Sequence, residues 1–142
     1  DAALLPENKA KNRFVNVLPY DCSRVKLSVQ NHNSDYINAS YMTVRRQYIA
    51  AQGPLPGTVN DFWRMVWEQR SLGVVMVTNC TEAGKVKCEQ YWPGDFAPRQ
   101  YGGLRVTVLS EQKETDWTLR EFEVQNVSGL RSSRYCCSTP FY

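Results

Sequence analysis

The fold of this chain is decided by residues 48–78, which read YIAAQGPLPGTVNDFWRMVWEQRSLGVVMVT. The apolar residues 48–51 predict a strand, and the glycines and prolines of residues 53–57 stop it. Thr58 is then placed to cap a helix, and Asp61 favours the helix N-terminus because the helix dipole is positive there. This stretch therefore predicts a strand, a turn and a helix in direct succession.

The predicted helix is amphipathic and leads into an apolar strand. Phe62, Met65 and Val66 share one helical face, which we expect to lie in the core. Gly73 is expected to end the helix. Residues 74–78, VVMVT, form a nearly continuous apolar run that is typical of a strand covered on both faces. A helix followed by such a strand indicates a mixed sheet with helices packed against it, in an α/β or α+β architecture.

Further strands are expected on both sides of this unit. Apolar stretches predict strands at residues 25–29 and 36–42, before the helix. After the glycine pair at residues 102–103, apolar side chains alternate, and residues 111–115 read as a polar link between two strands. The alternating residues are Leu104, Val106 and Val108 on one face, followed by Trp117 and Leu119.

The C-terminal segment differs from the rest in composition. Residues 125–142 contain no Asp, Glu or Lys, and neither helical nor strand periodicity persists through them. We therefore divide the chain into residues 1–124, which have the patterns of a folded domain, and residues 125–142, a divergent tail that is expected to be irregular.

Composition limits the classes of function. The chain has 142 residues, enough for one domain, and its net charge of +3 is too small to indicate a nucleic-acid binder. A nucleic-acid or membrane-surface binder is the weakest hypothesis, and it rests on Arg45, Arg46 and the arginines of the tail. Five cysteines without a Cys-x-x-Cys pair predict reduced thiols and no zinc site. No cofactor is expected, and no apolar run approaches the roughly 20 residues that span a membrane.

Five sequence motifs in a fixed order carry a resemblance to a known family. They occupy residues 8–25 (NKAKNRFVNVLPYDCSRV), 35–40 (DYINAS), 48–55 (YIAAQGPL), 62–68 (FWRMVWE) and 87–93 (KCEQYWP). These motifs resemble those of tyrosine-specific protein phosphatases, and residues 79–82 resemble receptor-type members. The resemblance runs from about residue 4 to residue 124. It implies a mixed twisted sheet flanked by helices, here as an incomplete tyrosine-phosphatase fold.

The resemblance also implies a reaction whose central groups are not recognised in this sequence. Members of the family hydrolyse phosphotyrosine in proteins through a cysteinyl phosphate, using a thiolate nucleophile, an aspartic general acid and a phosphate-binding arginine. The nucleophile motif is His-Cys, five residues, then Arg. None of the five cysteines is followed by an arginine six positions later, and His32 has no cysteine after it. We therefore assign no catalytic residue and expect the chain to be inactive alone.

One short string is similar to the general-acid loop of the family. Residues 92–95, WPGD, are similar to its Trp-Pro-Asp sequence. The preceding residues 87–91 assign this Trp-Pro to an earlier motif, so Asp95 is not expected to be the acid.

Four residues align with accessory positions of the family. Phe14 stands where relatives place a tyrosine that packs on the substrate ring, and Asn16 stands where they bond the substrate backbone. Glu82 aligns with a glutamate that pairs with the phosphate-binding arginine, and Lys87 with a lysine that approaches the acid loop. Both would face absent partners, so a solvated loop is also expected for them.

Two further polar residues are expected to serve the structure. Asn38 and Gln52 lie inside the family motifs, and we expect them to act as structural hydrogen-bonding groups rather than in the chemistry. We also expect strand edges and apolar faces to stay uncovered, because half of a sheet leaves its central strands without neighbours.

The leading hypothesis is thus a tyrosine-phosphatase domain represented by an incomplete chain, with phosphotyrosine proteins as partners. The resemblance places such a domain in the cytoplasm, and the parent protein could be a transmembrane receptor. The alternative is a non-catalytic module in which Phe14 and Asn16 hold phosphotyrosine or a protein partner without turnover.

Overall fold

The molecule is built from short strands and one long helix. A computed structural model describes residues 1–29, 34–42, 48–129 and 131–140. Within these residues, the helices are a 3-10 turn at Ala2–Leu4, α1 at Pro6–Lys9 and α2 at Val59–Glu68. The strands are β1 (Arg24–Lys26), β2 (Tyr36–Tyr41), β3 (Ile49–Ala51), β4 (Gly73–Val75), β5 (Thr81–Glu82), β6 (Lys85–Val86), β7 (Arg99–Tyr101), β8 (Leu104–Lys113), β9 (Trp117–Asn126) and β10 (Ser132–Pro140).

An antiparallel three-stranded sheet forms from the N-terminal part of the chain, in the order β1-β2-β3. Its central strand, β2, places Ser40 opposite Arg24 of β1 and Ala39 opposite Ala51 of β3. The three strands predicted before the helix are therefore confirmed, although β1 and β3 are shorter than the apolar stretches that predicted them.

A mixed five-stranded sheet has the order β4-β10-β9-β8-β7. Strand β10 runs parallel to β4 and antiparallel to β9, while β8 is antiparallel to both of its neighbours. Leu104, Val106 and Val108 alternate on the buried face of β8, as predicted. The predicted α+β class with a mixed sheet is confirmed.

The C-terminal segment departs from its prediction. Residues 125–142 are expected to be irregular, but β10 covers Ser132–Pro140 and pairs with β9 along its whole length. Tyr135 and Cys137 are buried, so the core face of this strand has a single apolar repeat, too short to register as periodicity. The prediction of an irregular tail is thus wrong for the residues of β10, while the division of the chain after residue 124 stays a prediction.

The core is centred on Trp63 of α2, whose side chain is fully buried. Its ring makes edge contacts with Phe62, Tyr91 and Phe122 at centroid distances of 5.8, 6.0 and 5.6 Å. The indole Nε1 donates a hydrogen bond to the backbone oxygen of Tyr91 at 2.6 Å. Because Phe122 belongs to β9, these contacts join α2 to the five-stranded sheet.

The same helix is joined to the three-stranded sheet by polar contacts. The Arg64 guanidinium donates to the backbone oxygen of Ser28, which follows β1, at 2.7 Å, and to that of Ser34, which precedes β2, at 2.8 Å. The Tyr41 hydroxyl, at the end of β2, donates to the Gln69 amide oxygen at 2.6 Å. Helix α2 therefore connects the two sheets.

Both ends of α2 differ in detail from the sequence expectation. Thr58 precedes the helix as predicted, but its hydroxyl accepts from the Leu55 amide at 2.9 Å and makes no side-chain cap. The helix ends at Glu68, not near Gly73, and the chain turns through Arg70, whose φ is 51°. Gly73 instead opens β4, where a β-carbon would lie 3.1 Å from the backbone oxygen of its parallel partner Cys136.

The β8–β9 hairpin is longer than predicted. Strand β8 continues to Lys113, so the polar link predicted at residues 111–115 is confined to the three residues before Trp117. At the start of β9 the buried residue is Thr118, while Trp117 is exposed and Leu119 half-buried. Backbone pairing carries this hairpin beyond the core, where side-chain polarity no longer reports which residues form a strand.

Strand β4 is an edge strand within the described residues, because it pairs only with β10. Val75 and Val77 are 70% and 72% exposed, so the prediction of a strand covered on both faces is wrong. A groove of about 930 Å³ lies between β3, α2 and β4. The expectation that strand edges and apolar faces stay uncovered is confirmed here.

Replacing Trp63 by alanine should lower the free energy of unfolding by about 3–5 kcal/mol, the usual range for removing a buried tryptophan. The loss combines the cavity with the unpaired Tyr91 carbonyl oxygen. Trp117→Ala is the matched control, since that side chain is 39% exposed and only partly packed, and it should cost less, about 1–2 kcal/mol. Urea denaturation followed by circular dichroism measures both values, and equal losses would contradict this account of the core.

Candidate functional site

The predicted substrate-binding residues lie on an exposed loop between α1 and β1. Phe14 is 50% exposed, Asn16 is exposed, and Val15 between them is 91% exposed. The Val17 amide donates to the Phe14 backbone oxygen at 3.4 Å, which closes the loop into a turn. A loop that presents an aromatic ring and an amide to solvent is suited to contacting another molecule.

Arg13 anchors the start of this loop. Its backbone amide donates to the Gln52 side-chain oxygen at 2.8 Å. Its guanidinium donates to three backbone oxygens, those of Gly53, Pro54 and Val86, at 2.9, 2.6 and 3.3 Å. Arg13 therefore fixes the loop both to the end of β3 and to the β5–β6 hairpin.

The polar residues of the second and third motifs hold the rest of the loop. Asn38 donates from Nδ2 to the Val17 backbone oxygen at 2.9 Å and to Asn12 Oδ1 at 3.0 Å. Gln52 donates from Nε2 to the Lys11 backbone oxygen at 2.7 Å. The structural role predicted for Asn38 and Gln52 is confirmed by these contacts.

Glu82 lies at the tip of the β5–β6 hairpin. Its carboxylate accepts hydrogen bonds from the Asn79 amide at 3.1 Å and from the Thr78 hydroxyl at 3.0 Å. These bonds, with the positive charge of Lys87, hold the pKa of Glu82 below its usual range. The carboxylate that was expected to be solvated therefore has partners of its own.

Lys87 follows the second strand of that hairpin and is half-buried. Its amide donates to the Cys80 backbone oxygen at 2.8 Å. The Arg13 bond to Val86, one residue earlier, links the hairpin to the loop of Phe14. Arg13 thus connects the loop of Phe14 and Asn16 with the hairpin of Glu82 and Lys87.

The Trp92–Pro93 pair lies in the protein interior. The Trp92 ring meets Tyr91 edge-on at 5.0 Å, and the Arg120 guanidinium carbon lies 4.6 Å from the Trp92 ring centroid. Asp95 is exposed and accepts from the Ala97 amide at 3.2 Å, which forms a local turn. These contacts give Trp92 a packing role and Asp95 a turn role.

The cysteines are the side chains that could supply the thiolate nucleophile that the motif resemblance implies. Burial raises the pKa of the Cys80 and Cys137 thiols, and it raises that of Cys88 to about 12. Cys22 and Cys136 are exposed. A thiolate that attacks phosphorus at neutral pH requires a lowered pKa, so the three raised thiols are not suited to that step.

Within the residues that the structure describes, no group of three or more His, Cys, Asp or Glu side chains could hold a metal ion. No helix among these residues is both long and apolar enough to cross a membrane. His32, Arg45 and Arg46, which entered the sequence arguments, lie outside the described residues.

The family can be decided from comparison with known proteins. The family model for protein-tyrosine phosphatase matches residues 8–137, which is most of the chain. The chain belongs to the protein-tyrosine phosphatase family. The match includes most of β10, so the resemblance extends beyond residue 124, where the motifs alone stop.

Similar proteins include receptor-type members of this family. The human receptor-type tyrosine-protein phosphatase eta is 53% identical over 135 residues, covering 92% of this chain and 10% of the relative. The human receptor-type tyrosine-protein phosphatase H is 52% identical, covering 91% and 12%. The rat phosphatidylinositol phosphatase PTPRQ is 48% identical, covering 93% and 6%. The chain therefore spans about a tenth of the length of these relatives.

Arg13 is the functional-site residue that sequence reasoning missed. In the sequence it reads as one of several basic residues near the N-terminus. Its position directly before Phe14, inside the first family motif, was the available signal. Its carbonyl partners lie about 40 and 73 positions away, and such long-range pairing leaves no local pattern.

The Glu82 contacts predict a pH dependence. Because the folded-state pKa is lowered, the carboxylate stabilises the hairpin at pH values above the unfolded pKa of about 4.3. This contribution is lost as the pH falls through the folded-state pKa. Thr78→Val removes one donor and should raise the midpoint of Glu82, as measured by NMR titration of the side-chain carboxyl. Thr107→Val on β8 is the control, and an unchanged midpoint in Thr78→Val would contradict the assigned bond.

Proposed function

We propose that this chain forms the substrate-approach surface of a protein-tyrosine phosphatase, with Phe14 and Asn16 as its contact residues. The observation that carries the proposal is the exposed loop of Phe14, which Arg13 anchors at one end and Asn38 at the other. An anchored loop keeps its exposed aromatic ring in place, so less entropy is lost when a ligand binds.

The chemistry of the two side chains fits a peptide that carries phosphotyrosine. The Phe14 ring offers an apolar face on which a substrate phenyl ring can pack. The Asn16 amide offers both donors and an acceptor, which match the polar groups of a peptide backbone. Phosphotyrosine-containing proteins are therefore the proposed partners. In a receptor-type parent, this domain would face the cytoplasm.

A relative named as a phosphatidylinositol phosphatase raises the question of substrate class. We favour phosphotyrosine, because stacking on Phe14 needs an aromatic ring that an inositol headgroup lacks. A glutamate and a lysine on the neighbouring hairpin, Glu82 and Lys87, are proposed to support the loop rather than to contact phosphate.

We further propose that the 142-residue chain does not hydrolyse phosphotyrosine by itself. None of its cysteines is followed by an arginine six positions later. Three of the five also have a raised pKa, which lowers the thiolate fraction at neutral pH.

The activity of the purified chain tests this second proposal. Phosphate release from a phosphotyrosine peptide should equal that of a blank without protein, while an active tyrosine phosphatase assayed in parallel gives turnover. Vanadate-sensitive release by the chain would contradict the proposal. Single Cys→Ser variants would then show which thiol acts.

Binding tests the contact surface independently of turnover. If Phe14 and Asn16 form it, Phe14→Ala should weaken binding of a phosphotyrosine peptide by about 5- to 30-fold, the loss of one aromatic stacking contact and its buried area. Tyr20→Ala, which removes another exposed aromatic ring, should leave the affinity within twofold. Calorimetric titration measures both. Equal affinity of Phe14→Ala and the unchanged chain would remove Phe14 from the surface, and equal binding of the unphosphorylated peptide would favour a general protein-binding module.

A further inference from the structure

Two cysteines flank the β5–β6 hairpin at the same level. Cys80 directly precedes β5, and Cys88 follows β6 after Lys87. The amides of Lys87 and Cys88 both donate to the Cys80 backbone oxygen, at 2.8 and 3.3 Å. Two residues of one strand thus face a single residue of the other, which is the pattern of a β-bulge.

This bulge brings Cys80 and Cys88 close together. The β5–β6 register pairs Thr81 with Val86, so Lys87 lies directly opposite Cys80 and Cys88 is the second residue of the bulge. A disulfide spans α-carbons that are about 4.4–6.8 Å apart. Cys88 is 2% exposed, and the half-buried Cys80 packs against the same core. Both residues therefore adjoin the same core.

Electrostatics agrees with this proximity. Apart from burial, negative charge on Cys80 is the largest influence that raises the pKa of Cys88. Charges affect each other this way only at short range inside a protein. Cys137 raises the pKa of Cys88 less than Cys80 does. Its sulfur lies 3.5 Å from the Tyr91 hydroxyl, while the Cys88 thiol donates to the Glu89 backbone oxygen at 3.2 Å.

We propose that Cys80 and Cys88 form an oxidation site, at which a hydroperoxide converts the two thiols into an intrachain disulfide. The Cys80 thiolate attacks the peroxide, the O–O bond breaks, and a sulfenic acid forms with release of water or an alcohol. The Cys88 sulfur then attacks the Cys80 sulfur, and the S–O bond breaks with release of water. The two sulfurs lose two electrons in total, which reduce the peroxide.

The order of attack follows from exposure. Cys80 is half-buried and can meet a solvent-borne oxidant, whereas Cys88 is almost fully enclosed. Cys88 therefore acts as the resolving thiol. Burial and the negative charge of Glu89 raise the pKa of Cys80, and the positive charge of Arg120 offsets only part of this rise.

The reaction should be slow and should accelerate with pH. Burial raises the pKa of both thiols, so each is mostly protonated at pH 7 and only the thiolate reacts. Below the pKa, the thiolate fraction rises about tenfold per pH unit, and the rate should follow it.

The disulfide would close a ring around the hairpin that bears Glu82 and Lys87. Cys88 also packs against the end of β3, because a β-carbon on Gly53 would lie 2.9 Å from the Cys88 β-carbon. Oxidation would therefore lock the hairpin beside the strand to which Arg13 anchors the Phe14 loop. Amide exchange of residues 81–87 should become slower on oxidation.

The experiment treats the full chain with hydrogen peroxide at pH 7 and at pH 8.5, then alkylates the remaining thiols after unfolding. Intact mass spectrometry should show the loss of two of the five alkylation sites, and proteolytic mapping should place the bond between Cys80 and Cys88. The rate at pH 8.5 should be about 10- to 30-fold higher. A parallel reaction in urea shows which bonds an unfolded chain forms.

Three variants separate this pair from the other thiols. Cys80→Ser should leave Cys88 unmodified under the same conditions, and Cys22→Ser and Cys136→Ser should still form the bond. A link from Cys88 to Cys137 in the unchanged chain would overturn the assignment. So would the same mixture of links in buffer and in urea, or no link in buffer at either pH.

Discussion

The hydrogen bond and ring contacts of Trp63 are the constraint on which the rest of the structure depends. The indole fills the space between α2 and the five-stranded sheet, and its N–H is satisfied inside the core by the Tyr91 carbonyl oxygen. On its other side, α2 uses Arg64 and Gln69 to hold the three-stranded sheet. Within the described part of the chain, no strand of one sheet pairs with a strand of the other, and the helix connects them through these side-chain contacts. The positions of the Phe14 loop and of the β5–β6 hairpin follow from this arrangement.

The parts of the fold that could be predicted from sequence are those with a local physical signal. The strands before α2 and the apolar face of β8 follow from side-chain periodicity, because burial of one face imposes it. The end of α2 could not be predicted. Gly73 looks like a helix terminus, yet it is needed where β4 approaches Cys136, and the turn falls instead on Arg70. A glycine signals freedom or close approach, and sequence alone does not say which.

The C-terminal strand β10 could not be predicted from sequence either. Its serines and adjacent cysteines give no propensity for a strand, but β9 and β4 offer unpaired backbone groups on both sides of it. Tyr135 and Cys137 then fill the core face. Of the candidate site, Phe14, Asn16, Glu82 and Lys87 could be named through family motifs. Arg13 could not, because its role rests on carbonyl groups brought close only by folding.

The surroundings of the loop anchors and of the buried thiols explain why this chain has candidate contact residues but no recognised nucleophile. A loop for contact needs only anchoring, and Arg13, Asn38 and Gln52 supply it with backbone partners. A nucleophile needs a thiolate, which is stable only beside positive charge or backbone donors. Cys80, Cys88 and Cys137 meet burial instead, and burial favours the protonated form. The environment that makes these cysteines good core residues also keeps most of each thiol protonated at neutral pH, whereas a phosphatase nucleophile must be ionised there.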